Sequence, residues 1–295
     1  MNIIGLGQCG CNIAKGFEQY PQYDVYYINT EKIESKEYLF PELEHYVSKE
    51  KVNIGKTFLL KEQKSHEEYE ENCPDFSKFF KKVKNDVLFI LGGGGSISGA
   101  CLKVLEYIKD CNITVLFVMP DVELLSEIAY LQNRATFFVL QEYARSGVFE
   151  KILLVDNFIV ESTVKDLTIL NRYDKINEFI CSTMHMINVY NNQKPIVTTR
   201  KNSLDTMRLC SFGRFDIEEG EENLFFSLDN VSEKWYCYAI PEKQLKTDTE
   251  LLKKITTQMK EKNKEKTKVS YSIYSTNYDF AYGYTFAQSS EIQKQ

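Results

Sequence analysis

Four consecutive glycines, Gly92 to Gly95, stand between an apolar run, Val87 to Leu91, and a segment, Ala100 to Lys109, with apolar residues at helical spacing. The apolar run, bounded by a turn signal, reads as a buried strand. Strand, glycine-rich turn and helix start together make the layout of a phosphate cradle. Glycines let backbone N–H groups approach a ligand without side-chain obstruction. The helix that follows adds its unpaired N–H groups and the positive end of its dipole. Ser96 and Ser98 bring hydroxyl donors, and a side chain at Gly94 is expected to enter the phosphate path. The stretch is not a P-loop, because it lacks the Gly-Lys-Ser/Thr ending.

A second glycine turn lies at the start of the chain. Asn2-Ile3-Ile4 reads as a short strand, and Gly5-Leu6-Gly7-Gln8-Cys9-Gly10-Cys11-Asn12 opens a helix behind it. Alone this is a Gly-x-Gly-x-x-Gly dinucleotide fingerprint. The next strand, Val25 to Ile28, ends at Asn29-Thr30-Glu31, and Glu31 stands about where an acidic ribose ligand is expected. A nicotinamide-dependent oxidoreductase built on Gly5, Gly7, Gly10 and Glu31 is therefore one reading. The tetraglycine turn favours another, because a single nucleotide held by two glycine turns accounts for both.

Composition narrows the field. The 295 residues are 43% hydrophobic, enough for two domains, or one large one, with a sizeable core. The net charge of −6 argues against a dedicated nucleic-acid surface. No stretch is long enough to span a bilayer, and Met1 runs into an apolar strand without a basic leader. The eight cysteines are scattered, and no second pair or nearby histidine completes a zinc site with Cys9 and Cys11. No metal site is expected from side chains, and reduced thiols fit a cytoplasmic protein. Among the three histidines, His185 sits in a helix that reads as buried.

Further patterns follow in order. Residues 32–85 are polar, and Lys51 to Glu71 is dense in charge. It reads as a solvated run in which Lys56 or Lys61 offers a charge for phosphate. Ile113 to Met119 and Ile152 to Val155 are buried strands, separated by a loop over Val122 to Asn133 and a helix from Arg134 to about Ser146. From Asp166 to Asn192 apolar residues recur at three- and four-residue spacing, which predicts one long helix. The remainder reads as a small α/β domain. It has strands at Leu224–Leu228, Trp235–Ile240, Val269–Ser275 and Asp279–Ala287, and a helix over Thr247–Lys262. The lysine-rich stretch Lys253 to Lys268 reads as a solvated helix end.

These motifs, in this order, resemble the tubulin/FtsZ family. Gly7-Gln8-Cys9-Gly10 is similar to the first nucleotide loop of tubulins, and Asn29-Thr30 to the end of the second strand in FtsZ. Gly93-Gly94-Gly95-Ser96-Ile97-Ser98-Gly99 resembles the signature Gly-Gly-Gly-Thr-Gly-Ser/Thr-Gly, with Ser96 for threonine and Ile97 for the middle glycine. Asp156-Asn157 resembles a Pro-Asn whose asparagine meets the base. Tyr173-x-x-x-Asn177-Glu178 resembles Phe-x-x-x-Asn-Asp on the central helix. The resemblance implies an α/β fold. A Rossmann-like GTP-binding domain over 1–165 leads into a central helix over 166–192, and a smaller activation domain covers 193–295.

By the same resemblance GTP or GDP, with Mg²⁺, binds at Gly7, Gln8, Cys9, Gly10, Asn12, Asn29, Gly93, Gly94, Gly95, Ser96, Ile97 and Ser98. Glu127, Asn133 and Arg134 fall in the sugar and phosphate loop. Asn157, Tyr173, Asn177 and Glu178 take the base. A carboxylate accepts from two adjacent guanine N–H groups that adenine lacks, which favours GTP over ATP. Asn202 and Asp205 align with the acids of the family's catalytic loop, Asp205 with the one that activates water. Asn202 with Asp205 three residues on also reads as a helix cap. The Gly-Gln-Cys-Gly loop and altered signature are most like the divergent plasmid and phage tubulins of the TubZ and PhuZ types. These imply a head-to-tail homopolymer and a role in moving or positioning DNA through a DNA-bound adaptor, with no direct nucleic-acid or membrane partner. A nucleotide-binding relative without turnover is the remaining reading.

Overall fold

The computed structural model describes residues 1–33, 54–201, 207–263 and 267–294. The chain divides into two compact units, Met1–Cys181 and Ser182–Lys294.

The first unit is a parallel sheet with helices. Its strands are β1 (Asn2–Leu6), β2 (Asp24–Asn29), β3 (Lys56–Leu59), β4 (Asp86–Gly92), β5 (Asn112–Met119) and β6 (Lys151–Asp156). They lie in the order β3-β2-β1-β4-β5-β6, and every pairing is parallel. Parallel strands covered on both faces become continuous apolar runs. Accordingly Val87 to Leu91 and Val115 to Val118 are almost wholly buried. This strand order reverses direction between β1 and β4, where sheets of this kind open a crevice beyond their carboxyl ends. Leu6 pairs with Leu91 across that point, so the turns that follow β1 and β4 start side by side.

Helix α1 (Gly7–Lys15) leaves β1 directly. Gly10 lets it lie close on the sheet, since a Cβ there would meet the Ile90 carbonyl oxygen at 2.2 Å. Helices α2 (His66–Glu71) and α3 (Cys101–Glu106) precede and follow the β4 turn, with a 3₁₀ turn over Ser96–Ala100 leading into α3. Strand β3 and α2 emerge from a region that the sequence marks as a charge-rich connector. Ser65 caps α2 by accepting from the Glu68 N–H at 3.2 Å, and Glu68 Oε2 accepts from the Lys64 N–H at 2.9 Å. This resembles a capping box, with the glutamate reaching the residue before the cap.

Helix α4 spans Glu127–Arg145, seven residues earlier than the sequence pattern places it. The expected loop over Val122 to Asn133 is a 3₁₀ turn, Val122–Leu124, followed by the first two turns of α4. Ser126 supplies the reason: its hydroxyl accepts from the Ala129 N–H at 3.3 Å. Helix α5 (Asn157–Thr163) follows β6, capped by Asp156. Helix α6 (Arg172–Asn192) begins six residues later than expected. Asp166 sits at φ 57°, outside helical geometry, and Thr168 and Asn171 close a turn with reciprocal bonds of 2.7 and 3.4 Å. The division between the units falls within α6.

The second unit holds β7 (Val197–Thr198), β8 (Leu209–Phe215), β9 (Glu222–Leu224), β10 (Glu233–Pro241), β11 (Lys268–Thr276) and β12 (Tyr282–Ser289). Strand β12 is antiparallel to both β8 and β10, while β10 and β11 run parallel. The expected strand over Leu224–Leu228 ends at Leu224. The expected helix over Thr247–Lys262 is two helices, α7 (Glu242–Thr247) and α8 (Leu251–Lys262). Leu251, Ile255 and Met259 recur every fourth residue on α8 and pack on Phe215, Tyr236, Tyr238 and Ile273. Trp235 is buried here. Its Nε1 donates to Ser272 Oγ at 2.9 Å, and the Arg200 guanidinium lies 4.0 Å from its ring centre.

Candidate nucleotide site

The first turn is fixed by backbone and amide chemistry. Gly7 takes φ +69°, a left-handed conformation that suits glycine. A Cβ there would meet Ile97 at 3.6 Å, and one at Gly92 would meet the Cys9 side chain at 2.9 Å. The two glycine turns therefore touch. Behind them runs a relay of amides: Asn29 Nδ2 donates to Gln8 Oε1 at 3.0 Å, and Gln8 Nε2 donates to Asn12 Oδ1 at 3.1 Å. Three expected site residues from β2 and α1 are thus joined by hydrogen bonds. Burial pushes the Cys9 and Cys11 thiols up to about 12, and Cys11 Sγ donates to the Gly5 carbonyl at 3.2 Å. All eight cysteines are free thiols.

The second turn is a short span between two anchors. Gly93 N–H donates to the Val118 carbonyl at 3.0 Å, and Ser98 donates to the Gly95 carbonyl through N–H at 3.0 Å and Oγ at 2.6 Å. The Ser98 hydroxyl is thus engaged inside the turn. At Gly94 only the direction of an added side chain differs from the expectation. A Cβ there would point at Pro120 and Leu125, at 3.2 and 3.3 Å, whereas one at Gly95 would enter open space. Gly95 is the exposed glycine of the turn. Lys56 is withdrawn from the phosphate as well. It stands at the amino end of β3, where Nζ donates to the Tyr26 hydroxyl at 3.3 Å and lies 4.6 Å from that ring centre.

The remaining candidates sit on α4, α5 and α6. Glu127 and Arg134 are exposed on α4, with the Arg134 guanidinium 5.7 Å from the Phe138 ring centre. Asn157 opens α5 behind β6, and its Oδ1 is buried without a partner among the described residues. Burial raises the neighbouring Asp156 carboxyl, against the lowering effect of the Phe158 and Ile159 N–H groups. Tyr173 is 61% exposed, so a ring face is open to stacking. Asn177 lies one turn on along α6, with Glu178 beside it. Arg172 is the residue that motif reading missed. Its guanidinium pairs with Glu161 of α5 at 2.5 Å and lies 5.5 Å from the Tyr173 ring centre. It ties the helix that carries Asn157 to the one that carries Tyr173. Asn202 and Asp205 lie outside the described residues.

Two glycine turns side by side at the switch point of a parallel sheet stand where open α/β sheets form a crevice. The chain has the tubulin/FtsZ fold. It is similar to an FtsZ dimer structure from M. jannaschii, with a TM-score of 0.65 at 11% identity over 98% of this chain and 87% of that one. A GTPγS-bound protofilament of CetZ2 from Haloferax volcanii gives a TM-score of 0.64 at 14% identity, covering 97% of this chain and 92% of that one. A GTPγS-form protofilament of TubZ from Bacillus thuringiensis serovar israelensis gives 0.61 at 15% identity, covering 97% and 86%. No family profile and no curated protein sequence matches the chain.

Proposed function

We propose that this protein binds GTP and GDP between its two glycine turns, assembles head to tail into filaments of its own chain, and hydrolyses GTP where subunits meet. The observation that carries the reading is the contact between the two turns at the carboxyl ends of β1 and β4, in a chain of tubulin/FtsZ fold. Gly95 leaves open space above the turn for phosphate oxygens, with backbone N–H groups and the α1 and 3₁₀ starts as donors. Tyr173 stacks on the base, and Asn157, Asn177 and Glu178 read its edge. Mg²⁺ would be held by phosphate oxygens and water, as is usual for that ion. Among the described residues no group of three metal-ligating side chains gathers.

In this reading Asp205 of one subunit orients water at the phosphate of the next, and positioning and charge supply the catalysis. A head-to-tail contact that does not close on itself yields an open filament. Segregation or positioning of plasmid or phage DNA in a cytoplasm, through an adaptor, is the role we assign to such a filament. The test is phosphate release from GTP across protein concentration, with light scattering recorded in parallel. A threshold concentration shared by turnover and scattering is expected. Turnover strictly proportional to protein removes the shared site. Release of NAD on denaturation would install the oxidoreductase reading instead.

A further inference from the structure

The inward face of α4 carries a polar side chain that no described residue satisfies. Asn133 is 0% exposed, and neither Oδ1 nor Nδ2 has a hydrogen-bond partner among the described residues. Leaving a buried polar group unpaired is costly, so two on one side chain is a large concession. Its helix neighbours are disposed differently. Arg134 is exposed, and Thr136 Oγ1 shares a 3.3 Å hydrogen bond with His66 Nε2. The Asn133 carboxamide is aimed at the phosphate turn: a Cβ at Gly93 would lie 1.9 Å from its Oδ1.

The turn above it has unpaired groups of its own. The N–H groups of Gly94 and Gly95 take no hydrogen bond among the described residues, between the anchors at Gly93 and Ser98. In a trans peptide the C=O and N–H point in opposite directions. Presenting the Gly94 N–H to a phosphate above the turn therefore aims the Gly93 carbonyl downward. Asn133 Oδ1 lies beside Gly93, where a Cβ of that residue would stand. With neither end of the carboxamide bonded, a half-turn about its Cβ–Cγ bond places Nδ2 where Oδ1 stands, and the carbonyl finds a donor.

We infer that Asn133 is a positioning residue for the phosphate turn, its carboxamide bonding the inner side of the Gly93–Gly94 peptide whenever the outer side holds a phosphate. Asn133 touches no ligand. It sets the orientation of the peptide that does, and so acts on the phosphates and not on the base. This inference rests on the guanine-nucleotide reading given above.

The test uses the full chain with Asn133→Leu and Asn133→Ala. Affinities for GTP, GDP and guanosine are measured by competition, and the thermal midpoint is measured without nucleotide. Leucine has the same branched four-atom side-chain skeleton and removes both unpaired groups, so Asn133→Leu is expected to melt no lower than the parent. GTP and GDP are expected to bind about tenfold more weakly, the loss of roughly one hydrogen bond. Guanosine is expected to bind as it does to the parent. Should the leucine variant fail to fold, Asn133→Ala gives the same comparison between GDP and guanosine. Unchanged GTP and GDP affinity in a folded variant overturns the inference, as does an equal loss for guanosine. A parent that binds neither GTP nor GDP overturns the nucleotide reading, and the inference with it.

Discussion

The glycines of the β4 turn are separable by what surrounds them. At Gly93 a methyl group would collide with Asn133 Oδ1 at 1.9 Å and Phe117 at 2.5 Å. Gly93→Ala should therefore cost about 1–3 kcal/mol of stability, an overpacking effect readable in a urea titration. Gly95→Val should keep parental stability, because its side chain enters open space. The same side chain stands over the turn, and GTP should bind at least about tenfold more weakly. Equal GTP affinity in that variant would move the phosphate elsewhere. Tyr173→Ala should weaken GTP binding by on the order of 1–3 kcal/mol if the ring stacks on the base as aromatics do on nucleic-acid bases. Asn157→Ala and Glu178→Ala should erode the preference for GTP over ATP in competition experiments. A further residue acts on stability alone. Burial holds the His185 imidazole down at about 4, against its ordinary 6.5. The unfolded chain takes up that proton near 6.5 and the folded chain only near 4. Its contribution is complete above 6.5 and is lost as pH falls through that window. His185→Met should flatten the loss, by up to about 3 kcal/mol at the low end, in urea midpoints compared at neutral and acid pH.

Among the elements, α4 depends on a cap that periodicity does not reveal. Ser126→Ala removes the acceptor of the Ala129 N–H and should cost about 1 kcal/mol, measured by denaturant titration. The same helix shows where the sequence was and was not legible. Strands β1, β4, β5 and β6 are uninterrupted apolar runs, because parallel strands buried on both faces admit little else. Both glycine turns were legible for a related reason, since Gly7 and Gly10 answer backbone demands that side chains cannot meet. The first two turns of α4 were not. Ile128 and Leu131 are exposed there, so the apolar pattern gives no inward face to count. Strand β3 and α2 hide in a charge-dense stretch because β3 is an edge strand of four residues and α2 a helix of six. Arg172 escaped notice because its partner Glu161 lies 11 residues back in another helix, a pairing no local pattern encodes. Asn133 was picked out as a loop residue in contact with the ligand, and it is a buried helical one.

At the scale of the whole molecule, the proposed assembly separates binding from turnover. Asp205→Ala should bind GTP with parental affinity and still polymerise, because the contact between subunits involves far more than one carboxylate. Turnover should fall sharply, by about a hundredfold or more, as expected when the group that positions water is lost. Filaments should then persist. A small fraction of the variant mixed into parental protein should stabilise the copolymer, since each altered subunit disables the pocket it caps. Phosphate release and sedimentation of such mixtures check both points. Undiminished turnover in Asp205→Ala would place water activation on another residue.

Trp235 is the single tryptophan of the chain, and it lies in the second unit, sealed beneath Arg200. Indole emission is therefore a signal from one site in one half of the molecule. It is blind to the half that holds the glycine turns. Release of the nucleotide proposed to bind there would report the other half. A denaturant series read by both signals tells whether the two halves melt as one cooperative body or in succession, without any label being introduced.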